Sequence, residues 1–556
     1  MSSARLIYLP LGGAGEIGMN CYVYGYGPKG KERFILVDLG VTFPEMDGSP
    51  GVDLIMADVD WITKRVDRLD AIFITHAHED HIGGIGHLFP RLNVPIYART
   101  FTAHLARLKF EERGHDEMMI KTIGAYPETV EVGPFEVSFL PISHSIPESS
   151  ALIIDSPAGR VLHTGDFKLD LNPGVGEAYD PELWAEVSKG GVKALVCDST
   201  NVFSPNPGRS EADIIDATVE LISNQPGMVA ATTFASNIAR VKTLATAGSM
   251  AGRSVVLLGR AMRKMVTAGL ETGVLAEFPK TISPEEAAKL PRNQVMLLTT
   301  GSQGERRAAT AQLSRGKYLG LKLKQGDTFL FSSKTIPGNE KSVSRIQNAF
   351  SEMGVDVVDD PSGLYHVSGH ANRPDLAAMH AVVQPQILVP MHGEHRHLRE
   401  HVKLGAEHGF EGVIAPNGTM VDLSGETAKI VEFVETGRTY LDGRVQIGAL
   451  DGVVRDRIRM ALNGHVTCTI IIDEDDKPLG ESWCELMGLP ETGISRAPLV
   501  EVLEGDVNQW LMRADRKVLR DDDKMHEAIK RILRKSGNDE IGKKPEVTII
   551  ISRLVA

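Results

Sequence analysis

The sequence predicts an α/β protein of several domains, and three observations predict it. Short β-type runs bounded by Gly, Pro, Asn and Asp fill residues 1 to about 200. From about 209 to 365, helical stretches alternate with apolar strands, the texture of βαβ units on a parallel sheet. Short strands return over 366–440, and the remainder reads as a small α/β unit. The length of 556 residues agrees, because a prior of about 150 residues per domain gives three to four domains.

In order along the chain, Arg33 to Asp38, Ala71 to Thr75 and Arg160 to Thr164 are the clearest early strands. Glu211 to Leu221 has helical periodicity, while Ser254 to Leu258 and Gln294 to Leu298 are apolar strands. A Gly-containing polar stretch reads as a linker at 441–452. Beyond it, Val466 to Ile472 and Val547 to Ile551 read as strands. Met525, Ile529, Ile532 and Leu533 share one helix face, preceded by Asp521, Asp522 and Asp523 and ended near Gly537.

The glycine pattern Gly13-Ala14-Gly15-Glu16-Ile17-Gly18 matches a dinucleotide-binding fingerprint, and Asp38 lies where a ribose-binding acid belongs. That reading needs a helix to begin at the glycines. The following Cys21-Tyr22-Val23-Tyr24-Gly25 is a strand sequence, so a glycine-rich β-hairpin is expected instead.

Chemistry concentrates in His76-Ala77-His78-Glu79-Asp80-His81, directly after an apolar run. Four candidate metal ligands lie within six residues of a chain with only 18 histidines. Zinc accepts imidazole nitrogen and carboxylate oxygen. The spacing lets His76 and His78 reach one ion from a turn, while Asp80 and His81 point toward a second. His144, in Pro-Ile-Ser-His-Ser, and Asp166, in His-Thr-Gly-Asp, each sit at a strand end later in the chain. A last histidine cluster holds His392, His395 and His397, and the pattern alone does not choose among them.

The formal charge is −13, from 73 acidic and 60 basic residues, which is not the basic footprint of a typical nucleic-acid binder. Binding follows local charge, and metal ions reverse the field of an acidic site. Cys21, Cys197, Cys468 and Cys484 contain no CxxC pair, as expected of a reduced, cytoplasmic protein. The first ten residues lack a sustained apolar segment, and no run approaches the ~18 apolar residues needed to span a bilayer.

The order HxHxDH, single His, Gly-Asp, late His resembles the metallo-β-lactamase superfamily, and the insert at 209–365 resembles its β-CASP branch. Thr75 to Gly84, Cys197-Asp198-Ser199-Thr200-Asn201, Ser368-Gly369-His370-Ala371 and Met391-His392-Gly393-Glu394 are similar to the bacterial ribonuclease J family. The resemblance covers essentially the whole chain. It implies an αββα sandwich in two parts, 1–208 and 366–440, with a β-CASP α/β domain at 209–365 between them. A linker at 441–452 and a C-terminal α/β domain at 453–556 follow.

By the same resemblance, His76, His78 and His144 hold one zinc, and Asp80, His81 and His392 hold another, with Asp166 bridging. His395 and His397 are expected on the surface of the next helix. Asp38 supports the metal loop, Asp198 orients a histidine, and His370 lies near the scissile phosphate, with Asp80 in the catalytic set. Ser236, Asn237, Arg260 and the loop Ser368-Gly369-His370-Ala371 are expected to hold a terminal 5′-phosphate, the loop through its backbone N–H groups. Two zinc ions per subunit, or manganese in their place, would activate water for in-line attack on phosphorus. His370 would protonate the leaving 3′-oxygen.

The implied activity is a ribonuclease of mRNA decay and rRNA maturation. It acts 5′ to 3′ on 5′-monophosphate single-stranded RNA and also cuts internally. Homodimers or homotetramers and contacts with an RNA-degradation complex are implied, with no membrane partner. Arg513, Arg516, Lys517, Arg520, Lys530, Arg531, Arg534 and Lys535 read as solvated faces or as RNA contacts. A β-CASP enzyme acting on single-stranded DNA is the alternative, because no motif names a 2′-OH partner. A thioester or lactam hydrolase would need no insert, and a non-catalytic scaffold would have lost ligands that are all present here.

Overall fold

The computed structural model describes residues 4–45, 47–336, 338–360 and 363–554. The chain divides into two compact units, Met1–Thr42 with Met56–Arg438, and Phe43–Ile55 with Thr439–Ala556. The short segment 43–55 thus joins the C-terminal unit, although in sequence it lies within the first lactamase part.

The first unit contains two facing sheets. One has eight strands in the order Lys429–Phe433, Thr419–Asp422, Ala4–Gly12, Cys21–Pro28, Arg33–Val37, Leu69–Phe73, Ile96–Ala98, Ile120–Thr122. The other has seven, in the order Thr129–Val132, Phe135–Pro141, Ser150–Ser156, Gly159–His163, Ala194–Asp198, Ile387–Met391, Glu411–Gly412. Alternate residues of each, including Tyr8, Tyr24, Val37 and Phe73 against Phe139, Ile154, Val196 and Val389, form one core between the sheets. Strands such as Ala194–Asp198 are fully buried on both faces because helices cover the outside. Trp184, Met379 and Leu404, from three helices, pack there on Leu195 and Cys197.

The glycine-rich run is part of this frame. Ala4–Gly12 and Cys21–Pro28 pair antiparallel, and no helix follows the glycines. Ala14–Gly15 pairs with Gly393–Glu394, and the His392 N–H donates to the Gly13 carbonyl at 2.7 Å. The glycines therefore serve the last histidine of the cluster, not a nucleotide.

The insert is a five-stranded parallel sheet, ordered Ser254–Leu258, Val295–Thr299, Val229–Thr232, Thr328–Phe331, Asp356–Val358. Apolar cores cover both of its faces. The first continues onto Ala77, Phe101 and Leu105, so the insert rests against the loop that carries the HxHxDH motif.

In the second unit, His465–Ile472 pairs antiparallel with Trp483–Met487 and parallel with Glu546–Arg553. Its inner face packs on Leu503 and Val507 of Leu499–Arg513 and on Met525, Ile529 and Leu533 of Asp522–Ile541. The last helix does not end near Gly537. It runs to Ile541 and stops at Gly542, whose φ is 68°. Gly537 is there for space, since a Cβ would lie 2.8 Å from Pro545 Cδ. The stretch expected as a linker contains antiparallel pairing of Arg438–Asp442 with Val445–Gly448. Arg520 pairs with Asp476 at 2.7 Å and Lys535 with Asp539 at 2.8 Å, so part of the basic set is occupied by acids of its own unit.

Candidate active site and metal centre

The carboxyl ends of five central strands meet at one edge. Asp38 follows Arg33–Val37, His76 to His81 follow Leu69–Phe73, and Asp166 follows Gly159–His163. Asp198 ends its own strand, and His392 follows Ile387–Met391. Parallel pairing puts Asp198 opposite Met391, so the two late groups arrive together. His144 reaches the same place from the end of Phe135–Pro141.

Two donor groups result. In one, His78 Nδ1 lies 3.1 Å from both His76 Nε2 and His144 Nε2. In the other, Asp80, His81, Asp166 and His392 converge. Asp166 stands between them: its Oδ2 is 3.2 Å from His81 Nε2 and 3.9 Å from His76 Nε2 and His144 Nε2. His392 Nε2 lies 3.2 Å from Asp80 Oδ2, and its Nδ1 lies 3.0 Å from Asp166 Oδ1.

Three of the imidazoles are oriented from behind. His76 Nδ1 is 3.0 Å from Thr75 Oγ1, and His144 Nδ1 donates to the Gly369 carbonyl at 2.6 Å. His81 Nδ1 donates to Asp38 at 2.7 Å. Asp38 is fully buried at φ 62° and also accepts from the Thr75 N–H and hydroxyl. Holding the proton on Nδ1 leaves the Nε2 lone pair facing inward, as a metal ligand requires. The turn carrying Asp80 is packed tightly: a Cβ on Gly40 would fall 1.6 Å from the Asp80 carbonyl oxygen.

The electrostatics fit a metal in both groups. Burial pushes His78 down to about 4 and His76 and His144 well below the usual imidazole range, so all three offer lone pairs at neutral pH. His78 Nδ1, with another ring nitrogen 3.1 Å away on each of two sides, is repelled by them unless a cation or proton joins the group. In the second group burial acts in the same direction, but carboxylates overcome it. Asp166, Asp80 and Asp38 raise His81 to about 10, and Asp166 chiefly raises His392. Those protons supply the positive charge that a metal would bring. Asp166 is buried, and its Oδ1 faces His392 Nδ1 at 3.0 Å while Oδ2 faces the other donor group.

Beside the metals, His370 Nδ1 donates to Asp198 Oδ2 at 2.8 Å, and its ring lies 5.1 Å from that of His144. Asp198 is buried and also accepts from the Thr200 N–H at 2.8 Å and its hydroxyl at 2.7 Å. Burial would lower His370, but Asp198 raises it. A cavity of about 210 Å³ opens next to His370, lined by Lys168, Arg209, His366, Ser368 and Asn372 among others.

The phosphate-cradling loop differs in part from expectation. The His370 N–H donates to Ser368 Oγ at 3.2 Å and the Ala371 N–H to the Phe167 carbonyl at 2.6 Å. Among the described residues, that leaves the N–H groups of Ser368 and Gly369. Asn237 caps the helix Ile238–Met250 by accepting from the Arg240 N–H, Ser236 lies just before it, and Arg260 opens Arg260–Glu271 on its exposed side. Among the described residues, no hydrogen bond or ion pair joins these three to 368–371. His395 is exposed, but His397 is buried against Phe203, with ring centres 5.2 Å apart, which corrects its expected surface position.

Sequence reasoning passed over Thr75, Asn20 and Thr200, which touch His76, His81 and His392. It also passed over Lys168, Arg209 and His366 of the cavity. It passed over Arg240 as well, which is fully buried and paired with Glu211. A helix interior offering an arginine among small apolar residues was the one available signal for the last.

Fold and site together define a metallohydrolase of the metallo-β-lactamase superfamily with a β-CASP insert. Family models agree: the metallo-β-lactamase superfamily matches 14–197, the ribonuclease J β-CASP domain 226–350, a zinc-dependent metallo-hydrolase RNA specificity domain 364–416 and the ribonuclease J C-terminal domain 452–554. Ribonuclease J of Sinorhizobium meliloti is 39% identical over 99% of this chain and 98% of its own. Ribonuclease J 1 of Streptococcus pyogenes is 36% identical over 83% of this chain and 82% of its own. A crystal structure of a protein of unknown function from Enterococcus faecalis shares the fold, with a TM-score of 0.51 at 19% identity, covering 75% of this chain and all of that one. The chain belongs to the ribonuclease J family and is a metal-dependent nuclease. Among the described residues, no helix is long and apolar enough to cross a membrane.

Proposed function

We propose that the protein is a zinc-dependent ribonuclease that degrades single-stranded RNA from a 5′-monophosphate end and also cleaves internally, in mRNA decay and rRNA maturation. The observation that carries this reading is the junction of two donor groups with the Asp198–His370 pair at the mouth of a polar cavity. His76, His78 and His144 would hold one ion and Asp80, His81 and His392 the other, with Asp166 shared. When bound, two such ions supply Lewis-acid polarisation of the phosphoryl oxygens and activation of water.

The remaining chemistry belongs to the chain. Asp198 fixes the His370 Nδ1 proton, so Nε2 faces the site. Its side chain is 22% exposed, enough to meet substrate. From there Nε2 carries a proton to the leaving 3′-oxygen, leaving a 5′-phosphate on the product. Lys168, Arg209 and Ser368 line the cavity that receives the phosphate-bearing strand. Residues 1–208 and 366–440 carry the metals, 209–365 closes the substrate side, and 453–556 serves assembly as a homodimer or homotetramer. Digestion of matched 5′-monophosphate and 5′-triphosphate RNA tests this. The monophosphate is expected to disappear much faster, and equal rates would remove the end-recognition claim.

A further inference from the structure

Behind the catalytic edge, a second kind of donor cluster lies between the sheet and its covering helices. Cys197 projects from Ala194–Asp198 into the helix-facing core. His380 comes from the helix Arg373–Val383 and His401 from His395–Glu407. The sulfur and one nitrogen of each imidazole lie within 4.8 Å of one another, and all three side chains are fully buried.

The local construction repeats that of the main centre. His401 Nδ1 is 2.9 Å from Ser199 Oγ, as His144 Nδ1 is tied to the Gly369 carbonyl. Its Nε2 then faces His380 Nε2 at 3.0 Å, against 3.1 Å for His76 and His78. The two rings are nearly parallel, at 15°, with centres 5.1 Å apart. His380 Nδ1 is buried with no partner among the described residues. An apolar core has no ordinary use for a thiol and two imidazoles converging on one point. A hydrogen bond between the imidazoles uses both Nε2 atoms, and the sulfur has a hydrogen bond with the Thr164 side chain but none to either imidazole.

We propose that Cys197, His380 and His401 form a separate binding site for a divalent transition ion of the zinc class. The donor set is one thiolate and two imidazoles, softer than the nitrogen and oxygen donors of the catalytic edge. Binding forms a sulfur–metal bond and releases the Cys197 thiol proton to solvent. The ion ties the strand that ends in Asp198 to both helices that cover it. One of these helices begins three residues after His392. The site is therefore a brace for the residues that orient His370 and His392, and it takes no part in hydrolysis.

Cobalt(II) reports on it directly, because only a thiolate ligand gives an intense near-ultraviolet sulfur-to-cobalt charge-transfer band. The full-length protein, stripped of metal and reloaded with cobalt, is expected to show that band. Cys197→Ser should abolish it and lower bound metal by one equivalent per chain, and His380→Gln should shift or weaken it. His78→Ala, which disables the catalytic edge, should leave it intact. Absence of the band in the cobalt-loaded parent overturns the proposal without reference to any variant. Persistence of the band in Cys197→Ser assigns it to Cys21, Cys468 or Cys484 and overturns it equally.

Discussion

Asp38→Asn separates the electronic role of the residue behind His81 from its shape. Asp38 sits at φ 62°, a left-handed conformation that Asn adopts nearly as readily, so the backbone is not strained by the change. The carboxylate accepts from Thr75 N at 2.8 Å, Thr75 Oγ1 at 2.9 Å and His81 Nδ1 at 2.7 Å. An amide keeps one acceptor and must turn its NH₂ toward one of these donors. If it faces His81, the imidazole moves its proton to Nε2 and the inward lone pair is lost. If it takes the other position, it stands against the Thr75 backbone N–H, a buried donor that cannot turn away. Hydrogen bonds to a charged group are worth about 1.5–3 kcal/mol each. Loss of an outer-shell partner of a ligating His typically costs about 10–100-fold in metal affinity, roughly 1.4–2.7 kcal/mol. Zinc affinity read by competition with a chromophoric chelator should fall by that factor, while far-ultraviolet circular dichroism shows the metal-free protein still folded. Unchanged affinity would refute the argument that the Asp38 charge sets the His81 tautomer.

Other expectations follow from the same geometry. His370→Ala should slow cleavage by about 10²–10⁴-fold while leaving chelator-measured metal affinity at the parent value; a parental rate would exclude His370 from proton transfer. In Gly369→Ala the new Cβ would lie 2.7 Å from Ser145 Oγ and 2.9 Å from His144 Cε1, so metal occupancy and activity should drop together. Occupancy held at the parent level would show that the loop yields instead. Arg240→Met strands the buried Glu211 carboxylate and should destabilise the protein by about 3–5 kcal/mol, lowering its denaturation midpoint. Adding Glu211→Leu should recover most of that loss, and a double variant no better than the single one would show that the pair is not the cause.

The metal edge was legible because its densest motif is contiguous and its other residues sit at strand ends, which apolar runs mark well. His76, His78, His144, Asp80, His81, Asp166 and His392 all fall within the two donor groups that the fold assembles. The parallel sheet of the insert was visible for the same reason, since Ser254–Leu258 and Val295–Thr299 are uninterrupted apolar runs. What stayed hidden depends on partners distant in sequence. Thr75 and Thr200 are ordinary hydroxyl residues until Asp38 and His392 are beside them. His397 reads as one more polar helix residue until Phe203 covers it. Gly537 has the signature of a helix stop, but Pro545 explains it by contact. The junction at 43–55 carries no periodicity that could assign it to the C-terminal unit.

The point at which the insert enters the chain has a consequence for catalysis. Asp198 and His370 are hydrogen-bonded at 2.8 Å yet 172 residues apart, and the whole insert lies between them. Their distance is therefore a property of how the insert closes, not of local sequence. Arg240, inside the insert, sets that closure. It binds Glu211 at the entry side while donating to the Val367 carbonyl at 3.2 Å and contacting His366 Nδ1 at 2.9 Å on the return side. Val367 leads directly into Ser368, Gly369 and His370. A buried arginine with both flanks of the insertion in its grasp thus couples folding of the insert to placement of the His370 ring. Mutations anywhere along Glu211, Arg240 and His366 should then affect turnover through the Asp198–His370 pair even where the metal ligands are untouched.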